Sequence, residues 1–418
     1  MGVEVLNFGC RLNIAEGEAI RVGRAGADDL LIINSCAVTA EAERQASQAI
    51  RRAARAHPGR RIEVTGCGAD ISGARYAAMP EVTEVVPNVR KLPASLNYQP
   101  LISGADHARA FVSIQTGCDH DCTFCVIHIA RGKSRSARIA DVVAACKRVV
   151  DAGQQEVVLT GVDLTSYDDS GAPLGALVEA ILTEAPDLPR LRLSSLDCIE
   201  IDPLLEELLA NEPRLMPHLH LSFQSGDDLI LKRMKRRHSA RQGIELVQRL
   251  KRARPEIAIG ADLIAGFPTE DEAMFAHTMD LIEAADIVFG HVFPFSPRPG
   301  TPAARMPQVL APVAKERAAR LRAAIDARRA RWFDTLIGST QSVLIERDGL
   351  SGHAPNFARV VLISPSRLRE GLGVGVTVAS DDPPPAPPAR GRGECHPNTI
   401  HALRITHHDG AQLYGMPA

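Results

Sequence analysis

Long hydrophobic runs are absent from this sequence. No uninterrupted apolar stretch reaches the ~18–20 residues that a membrane-spanning helix needs, and the best candidate, IAIGADLIAGF, contains Asp262. The first residues, MGVEVLNFGC, carry Glu4 and lack the apolar centre of a secretory signal peptide. We therefore expect a cytoplasmic protein with no membrane partner, in which thiols stay reduced. Nine cysteines in that compartment indicate metal or redox chemistry rather than disulfides.

A strong net charge is also lacking, since the formal charge is −2. The total therefore says nothing about nucleic acid, but basic residues cluster at 44–61, 131–138, 232–238 and 315–331. Such clusters suit a polyanion. Solvated helix faces are an equally good interpretation of 44–55 and 315–331, where the arginines follow helical spacing. The other two clusters lie beside the expected active-site elements, and there we favour phosphate binding.

A fourth ligand is missing from the most informative motif, CDHDCTFC, which places thiols at Cys118, Cys122 and Cys125. A structural zinc takes four protein ligands, and an ordinary iron–sulfur cluster takes four thiolates. A cluster held by three thiolates keeps one iron open for another molecule. The alternatives are three scattered structural cysteines or a zinc site completed from elsewhere.

Residues 1–98 alternate between short apolar runs and helical stretches. The apolar runs predict strands at 3–8, 30–34 and 61–65. The clearest helix is predicted over 40–56, after a Thr39 N-cap. Strands that alternate with helices are typical of a parallel sheet, so we expect an N-terminal parallel α/β domain over 1–98.

A cysteine follows each of these three strands almost directly: Cys10, Cys36 and Cys67. The carboxyl ends of strands in an open α/β sheet are where ligands gather. Each cysteine lies beside small residues that permit close backbone approach. The alternative is three unrelated small core residues, but the shared strand-end position favours convergence on one point.

The same alternation recurs on a larger scale over 107–335. Strands are predicted at 110–115, 156–161, 190–195, 218–223, 257–267 and 286–293, with helices between them. Six βα units predict a partial (β/α)6 barrel with its chemistry at the C-terminal rim of the strands. The Cys118 motif follows the first strand, which is the correct end. A long Arg- and Ala-rich helix over 312–335 leads out of this domain.

Residues 338–416 form a third region, in which alternating segments such as QSVLIERDG and FARVVLI predict short antiparallel strands of a small β-barrel. GVGVTVAS (373–380) is predicted to be another such strand. The Pro-rich insertion at 381–394 cannot form a sheet interior and is expected to be an exposed loop. Barrels of this size often bind RNA but also serve as structural appendages.

The chain resembles the radical S-adenosylmethionine methylthiotransferases. The CxxxCxxC motif is their radical-cluster signature, and an N-terminal three-cysteine domain, a radical core and a terminal TRAM domain cover nearly the whole chain. Several blocks are most similar to the bacterial tRNA threonylcarbamoyladenosine methylthiotransferases. They include GCRLN, NSCAVTAEAERQ, IQTGCDHDCTFC, ARGKSRS, LTGVDLTSY, GADLIAGFPTE and VFPFSPRPGTPAARMP.

The resemblance implies two [4Fe-4S] clusters, S-adenosylmethionine as cofactor, and methylthiolation of carbon 2 of N6-threonylcarbamoyladenosine at position 37 of tRNA. Cys118, Cys122 and Cys125 would hold the radical cluster and act in catalysis, and Cys10, Cys36 and Cys67 the auxiliary cluster that delivers sulfur. Gly161, Gln224 and Gly266 would line the S-adenosylmethionine pocket. Arg131, Lys133 and Arg135 are candidates for tRNA phosphate or the threonylcarbamoyl carboxylate. Expected partners are the tRNA anticodon stem-loop and an electron donor such as flavodoxin or ferredoxin.

Two alternatives remain at this point. A sister methylthiotransferase would use the same chemistry on isopentenyladenosine in tRNA or on an aspartate of a ribosomal protein. A protein of another class, a non-catalytic RNA-binding protein with a structural cluster, would hold less iron and cleave no S-adenosylmethionine. The other three cysteines, Cys146, Cys198 and Cys395, fall outside both sets and are expected not to be ligands.

Overall fold

The N-terminal part of the chain is a four-stranded parallel sheet in the order β1-β2-β3-β4. The computed structural model describes residues 2–92, 99–103, 107–363 and 395–418. The strands are β1 (Val3–Asn7), β2 (Leu30–Ser35), β3 (Arg61–Gly66) and β4 (Glu84–Val85), and the helices are α1 (Arg11–Gly23), α2 (Ala40–Ala56) and α3 (Cys67–Ala77). Every residue of β2 is buried, as expected for a central parallel strand. The predicted Thr39 cap is confirmed, since its side chain accepts a hydrogen bond from the Ala42 amide at 3.1 Å.

The central part has ten strands and eight helices among the residues described. The strands are β5 (Ile102–Ser103), β6 (Ala110–Ser113), β7 (Gln115–Thr116), β8 (Arg135–Ser136), β9 (Glu156–Thr160), β10 (Arg190–Leu193), β11 (Ser195–Leu196), β12 (His218–Gln224), β13 (Ala258–Ala265) and β14 (Ile287–Pro294). The helices are α4 (Ile127–Arg131), α5 (Ile139–Asp151), α6 (Leu174–Glu184), α7 (Pro203–Asn211), α8 (Asp228–Arg233), α9 (Ala240–Ala253), α10 (Glu272–Ala284) and α11 (Ala311–Asp334).

These strands confirm the predicted partial barrel. The third predicted strand is interrupted at Ser194, so the arc consists of two sheets, β10-β9-β6-β5 and β11-β12-β13-β14. All neighbours are parallel except β5, which is antiparallel to β6. Leu219, Leu221 and Phe223 of β12 join the main hydrophobic core with the surrounding helices. Alternate residues of a strand face opposite sides, so the histidines at 218 and 220 face the barrel lumen.

The C-terminal part is a closed five-stranded barrel in the order β15-β16-β17-β19-β18. Its strands are β15 (Thr340–Ile345), β16 (Ser351–His353), β17 (Arg359–Leu362), β18 (Ile400–His408) and β19 (Leu413–Pro417). Phe333, near the end of α11, is buried in its core. The small β-barrel expected here is confirmed, whereas the strand predicted at 373–380 and the Pro-rich insertion at 381–394 lie outside the described residues. No helix in the described ranges is long and apolar enough to cross a membrane.

Candidate active site between two cysteine sets

The first cysteine set lies in one loop at the C-terminal rim of the central barrel. Cys118, Cys122 and Cys125 fall between β7 and α4, in a segment (117–126) that we call the radical loop. The loop is closed at its base by the antiparallel pairing of β7 with β8. Gly117 has a φ of 77°, and a Cβ there would lie 2.0 Å from the Lys133 carbonyl oxygen. Only glycine permits this approach. The base of the loop is therefore fixed by the ARGKSRS segment that follows it.

Two thiols of this loop, those of Cys118 and Cys125, need a positive partner to ionise. Burial raises the pKa of the Cys118 thiol to about 12 and that of Cys125 to about 11. Thiolates are the form that binds metal, and metal binding is what displaces the proton. Three thiols on one loop, of which Cys122 is buried and the other two are half-buried, fit a cluster with one open iron, as the sequence predicts.

Polar side chains from other parts of the chain contact this loop, and no sequence pattern predicts them. Arg236 lies 3.7 Å from the Cys122 sulfur and donates hydrogen bonds to Asp197 and the Ser222 carbonyl. Arg236 is thus buried beside the cysteine loop, which differs from the phosphate-binding role expected for the cluster at 232–238. Because Arg236 is far from the cysteine loop in sequence, no local pattern connects the two.

His120, inside the cysteine loop, is held by two carboxylates. Its Nε2 atom lies 2.9 Å from Asp163 and 3.3 Å from Glu200. Hydrogen bonds to these two groups raise the pKa of His120 to about 10. Asp163 also lies 3.7 Å from the Cys118 sulfur. Its position directly after a barrel strand, in LTGVD, is the signal that could have identified it.

The second cysteine set lies at the carboxyl ends of three neighbouring parallel strands, as expected. Cys10 caps the N-terminus of α1, Cys36 follows β2, and Cys67 begins α3. Gly9, with a φ of 91°, lies so close to Cys36 that a Cβ would fall 2.6 Å from its sulfur. Burial, and to a smaller extent the neighbouring thiols at positions 10 and 67, raise the pKa of the Cys36 thiol to about 12. The set therefore also fits a cluster held by three thiolates.

The two cysteine sets are neighbours. Val126 and Ala130, on the radical-loop side, pack in one apolar cluster with Ala37 and Cys67. The Cys67 thiol is close enough to contribute to the raised pKa of the Cys125 thiol. The structure thus brings together two sets of residues that belong to separate parts of the chain.

Arg131 joins the two sites. It donates to the Cys67 sulfur at 3.1 Å, to Glu16 at 2.7 and 3.0 Å, to Asn13 at 2.8 Å and to Thr116 at 3.2 Å. Each guanidinium nitrogen is occupied and the side chain is buried. This corrects the expected use of Arg131 as a free contact for phosphate or carboxylate. Lys91 also pairs with Glu16, at 2.6 Å, and the two cations lower the pKa of Glu16 to about 2.

The remaining predicted residues occupy two places. Lys133 and Arg135 line a cavity of about 490 Å³ between the N-terminal sheet and the barrel, together with Lys91 and Gln115. The three residues expected to line the S-adenosylmethionine pocket all lie at the rim that carries the radical loop: Gly161 after β9, Gln224 at the end of β12 and Gly266 after β13. Gln224 and Gly266 both have positive φ values, of 66° and 70°. Their contacts with the cofactor stay predictions.

One further polar group in the lumen could hold a cation. Ligand atoms of His220, Asp262 and His291 all lie within 4.8 Å of one another. In this structure both imidazoles are within hydrogen-bond distance of the same Asp262 oxygen, at 2.9 and 3.1 Å, and they hold the pKa of that carboxyl well below its usual range. The Asp262 carboxylate thus already has two hydrogen-bond partners within the protein.

Comparison with known proteins gives a consistent result. The chain matches the Radical SAM superfamily over residues 112–282 and the uncharacterized protein family UPF0004 over residues 3–87. A threonylcarbamoyladenosine tRNA methylthiotransferase of Rickettsia prowazekii is 47% identical over 86% of this chain and 91% of its own length. A tRNA-2-methylthio-N(6)-dimethylallyladenosine synthase of Erythrobacter litoralis is 33% identical over 82% of this chain and 86% of its own length.

Among solved structures, the radical S-adenosylmethionine methyltransferase TsrM of Kitasatospora setae superimposes with a TM-score of 0.50. The identity is 16%, over 66% of this chain and 64% of that one, which supports the fold alone. The fold and the cysteine loop define a radical S-adenosylmethionine enzyme with a second cysteine site. Within that class, the chain belongs to the threonylcarbamoyladenosine tRNA methylthiotransferase family.

Proposed function

We propose that this protein methylthiolates carbon 2 of N6-threonylcarbamoyladenosine at position 37 of tRNA. The observation that carries the proposal is the pair of adjacent three-cysteine sets, because the reaction needs both a radical and a sulfur carrier. Similarity to the Rickettsia prowazekii enzyme over most of both chains favours this substrate over the dimethylallyl nucleoside, whose relatives are less similar.

Two [4Fe-4S] clusters and S-adenosylmethionine would supply reductive cleavage of the sulfonium at one open iron and a place for sulfur at the other. Cys118, Cys122 and Cys125 would hold the first cluster and the N-terminal cysteines the second. The chain's own contribution is position and exclusion of water. Arg131 holds the two sites together and offers a charge-assisted hydrogen bond to the Cys67 sulfur.

The partners follow from the substrate. We propose that the tRNA is presented through its anticodon stem-loop, with the C-terminal barrel and Lys133 and Arg135 as candidate contacts for its backbone. The electron would come from a small carrier such as flavodoxin or ferredoxin. Because tRNA is the substrate, the cytoplasm is the expected location.

Nucleoside mass spectrometry of tRNA tests this proposal. Cells that lack the protein should lose 2-methylthio-N6-threonylcarbamoyladenosine and accumulate the nucleoside without the methylthio group, and the intact gene should restore it. Unchanged levels would reject the substrate, and loss of the isopentenyl counterpart instead would identify the sister activity.

Iron content separates the enzyme from a non-catalytic RNA-binding protein. After anaerobic reconstitution we expect about eight iron atoms per chain, four for each cluster, together with formation of 5′-deoxyadenosine from S-adenosylmethionine. Four iron atoms or fewer and no 5′-deoxyadenosine would favour the binding protein.

A further inference from the structure

The end of the barrel lumen at the N-termini of strands β9 and β10, which we call the floor, carries an excess of positive charge. Glu156, the first residue of β9, pairs with Arg192 at 3.0 Å and lies 3.7 Å from Arg109 and 3.8 Å from Arg190. Both Glu156 and Arg192 are completely buried. One carboxylate therefore serves three guanidinium groups, which leaves charge to be balanced by other parts of the molecule.

The C-terminal barrel closes this floor, and its described residues contribute one more carboxylate, that of Glu346. Glu346 pairs with Arg109 and lies 2.9 Å from the His353 ring. The Phe357 ring lies beneath the cations, 4.9 Å from the Arg192 guanidinium and 5.6 Å from that of Arg109. Cation–π contacts of this kind ease the burial of an arginine without neutralising it.

The N-terminal sheet adds a fourth cation, Arg11. Its guanidinium lies 5.6 Å from the centre of the Phe357 ring, and no hydrogen bond or ion pair joins it to any residue in the described ranges. Among the residues that the structure describes, this end of the lumen thus holds four guanidinium groups and two carboxylates, and Arg11 is the cation without a hydrogen-bond or ion-pair partner.

Stability alone does not explain this placement. Arg11 is the first residue of α1, where a positive charge opposes the helix dipole, and the first turn has no acidic residue. The cost of burying a charge is recovered only when a partner is present. An unpaired guanidinium facing a lumen is therefore the feature of an anion site.

The position of Arg11 relates this site to the reaction. Arg11 directly follows Cys10, so their Cα atoms are about 3.8 Å apart, and its side chain extends from the expected sulfur site toward the floor. A nucleobase that presents carbon 2 to that sulfur brings the substituent on its N6 atom into the same lumen. The threonylcarbamoyl substituent ends in a carboxylate, for which a guanidinium fork is the best geometric match.

We propose that Arg11 binds the carboxylate of the threonylcarbamoyl group and so selects this nucleoside over one with an apolar N6 substituent. This inference rests on the proposed function and names the residue that determines its specificity. A hydrophobic substituent leaves the half-buried Arg11 cation unpaired, which is the strongest form of discrimination that a binding site offers.

A binding cycle with two stem-loops tests the proposal. Reconstituted holoenzyme is titrated with an anticodon stem-loop that carries threonylcarbamoyladenosine and with a counterpart in which threoninol replaces threonine, so that the carboxylate becomes a hydroxymethyl group. The wild-type protein should bind the carboxylate form about 10- to 100-fold more tightly. Arg11→Gln should bring that ratio close to one, and Arg11→Lys should give an intermediate ratio. Arg241→Gln, at an exposed surface pair with Glu245, is the matched control and should keep the wild-type ratio.

Several results would overturn the proposal. A ratio that Arg11→Gln leaves unchanged rejects it, and so does an equal loss of affinity for both stem-loops, which would indicate a phosphate contact or a structural role. Should Arg11→Gln fail to reach about eight iron atoms per chain, Arg11→Lys makes the same comparison, and an unchanged ratio there counts against the proposal.

Different results reject the proposed function and the role of Arg11. A wild-type protein that does not methylthiolate the threonylcarbamoyl stem-loop rejects the proposed function. A wild-type protein that methylthiolates it but binds both stem-loops equally rejects only the role of Arg11.

Discussion

The two cysteine sets are assembled by opposite routes. Cys118, Cys122 and Cys125 come from one short loop, so their convergence depends on local backbone conformation and on the β7–β8 pairing beneath it. Cys10, Cys36 and Cys67 come from three strands, and they converge because β1, β2 and β3 are parallel and adjacent. A loop site tolerates change in distant sheets but not in its own glycines. A strand-end site depends on packing across a whole domain, and Arg131 couples the two.

The largest expected effect separates the proposed radical set from the cysteines outside both sets. Cys118→Ala should reduce the iron content from about eight to about four atoms per chain and abolish 5′-deoxyadenosine formation, because the radical cluster loses one of its three thiolate ligands. Cys146→Ala, in the main hydrophobic core, is the matched control and should retain the full iron content. Iron analysis with product chromatography measures both, and cleavage by Cys118→Ala protein would contradict the assignment.

Arg131→Met tests the coupling between the sites. Loss of one partner from a buried ion pair costs about 3 kcal/mol, at the low end of the range for such pairs, because Lys91 still pairs with Glu16. Chemical denaturation should show this loss, and iron should be lost preferentially from the auxiliary site, whose sulfur Arg131 contacts. Arg44→Met, at an exposed pair with Glu41, should change neither quantity. Equal iron loss from both sites would show that Arg131 acts on general stability alone.

The smallest effect concerns the glycines of the radical loop. Gly132 also has a positive φ, of 71°, but a Cβ there meets nothing within 4 Å. Gly132→Ala should therefore cost only the backbone strain of its φ of 71° and ψ of −158°, about 1 kcal/mol at the low end of the range for such conformations. Gly117→Ala adds a clash with the Lys133 carbonyl, and we expect a loss of about 2 kcal/mol with weaker retention of the radical cluster. Thermal unfolding and iron retention compare the two, and equal effects would show that the close approach is unimportant.

Sequence patterns predicted what depends on local spacing and periodicity. The six barrel strands, the strand-end cysteines and the Thr39 cap all follow from apolar periodicity and from residue types at strand and helix ends. The arginine and leucine alternation of β10 also held a clue, because Arg190 and Arg192 occupy one face of a strand whose other face joins the core.

Contacts between distant residues could not be predicted in this way. In the sequence, Arg131 and Arg236 belong to basic clusters, which usually lie at the surface and therefore indicate contacts with phosphate or, for Arg131, with phosphate or a carboxylate. Their carboxylate partners, Glu16 and Asp197, are far away in sequence and become neighbours only when the domains pack. Arg11 carried no signal at all, since its significance depends on counting the charges that three parts of the chain bring to one place.

The most direct test of the proposed division of labour is the product analysis of Cys67→Ala protein. With reductant, S-adenosylmethionine and threonylcarbamoyl stem-loop, this variant should still form 5′-deoxyadenosine but no methylthiolated nucleoside, because the radical loop is intact and the sulfur site is not. Its iron content should be about four atoms per chain. Methylthiolated product from this variant would contradict the account, and so would complete loss of 5′-deoxyadenosine from a folded protein that keeps four iron atoms.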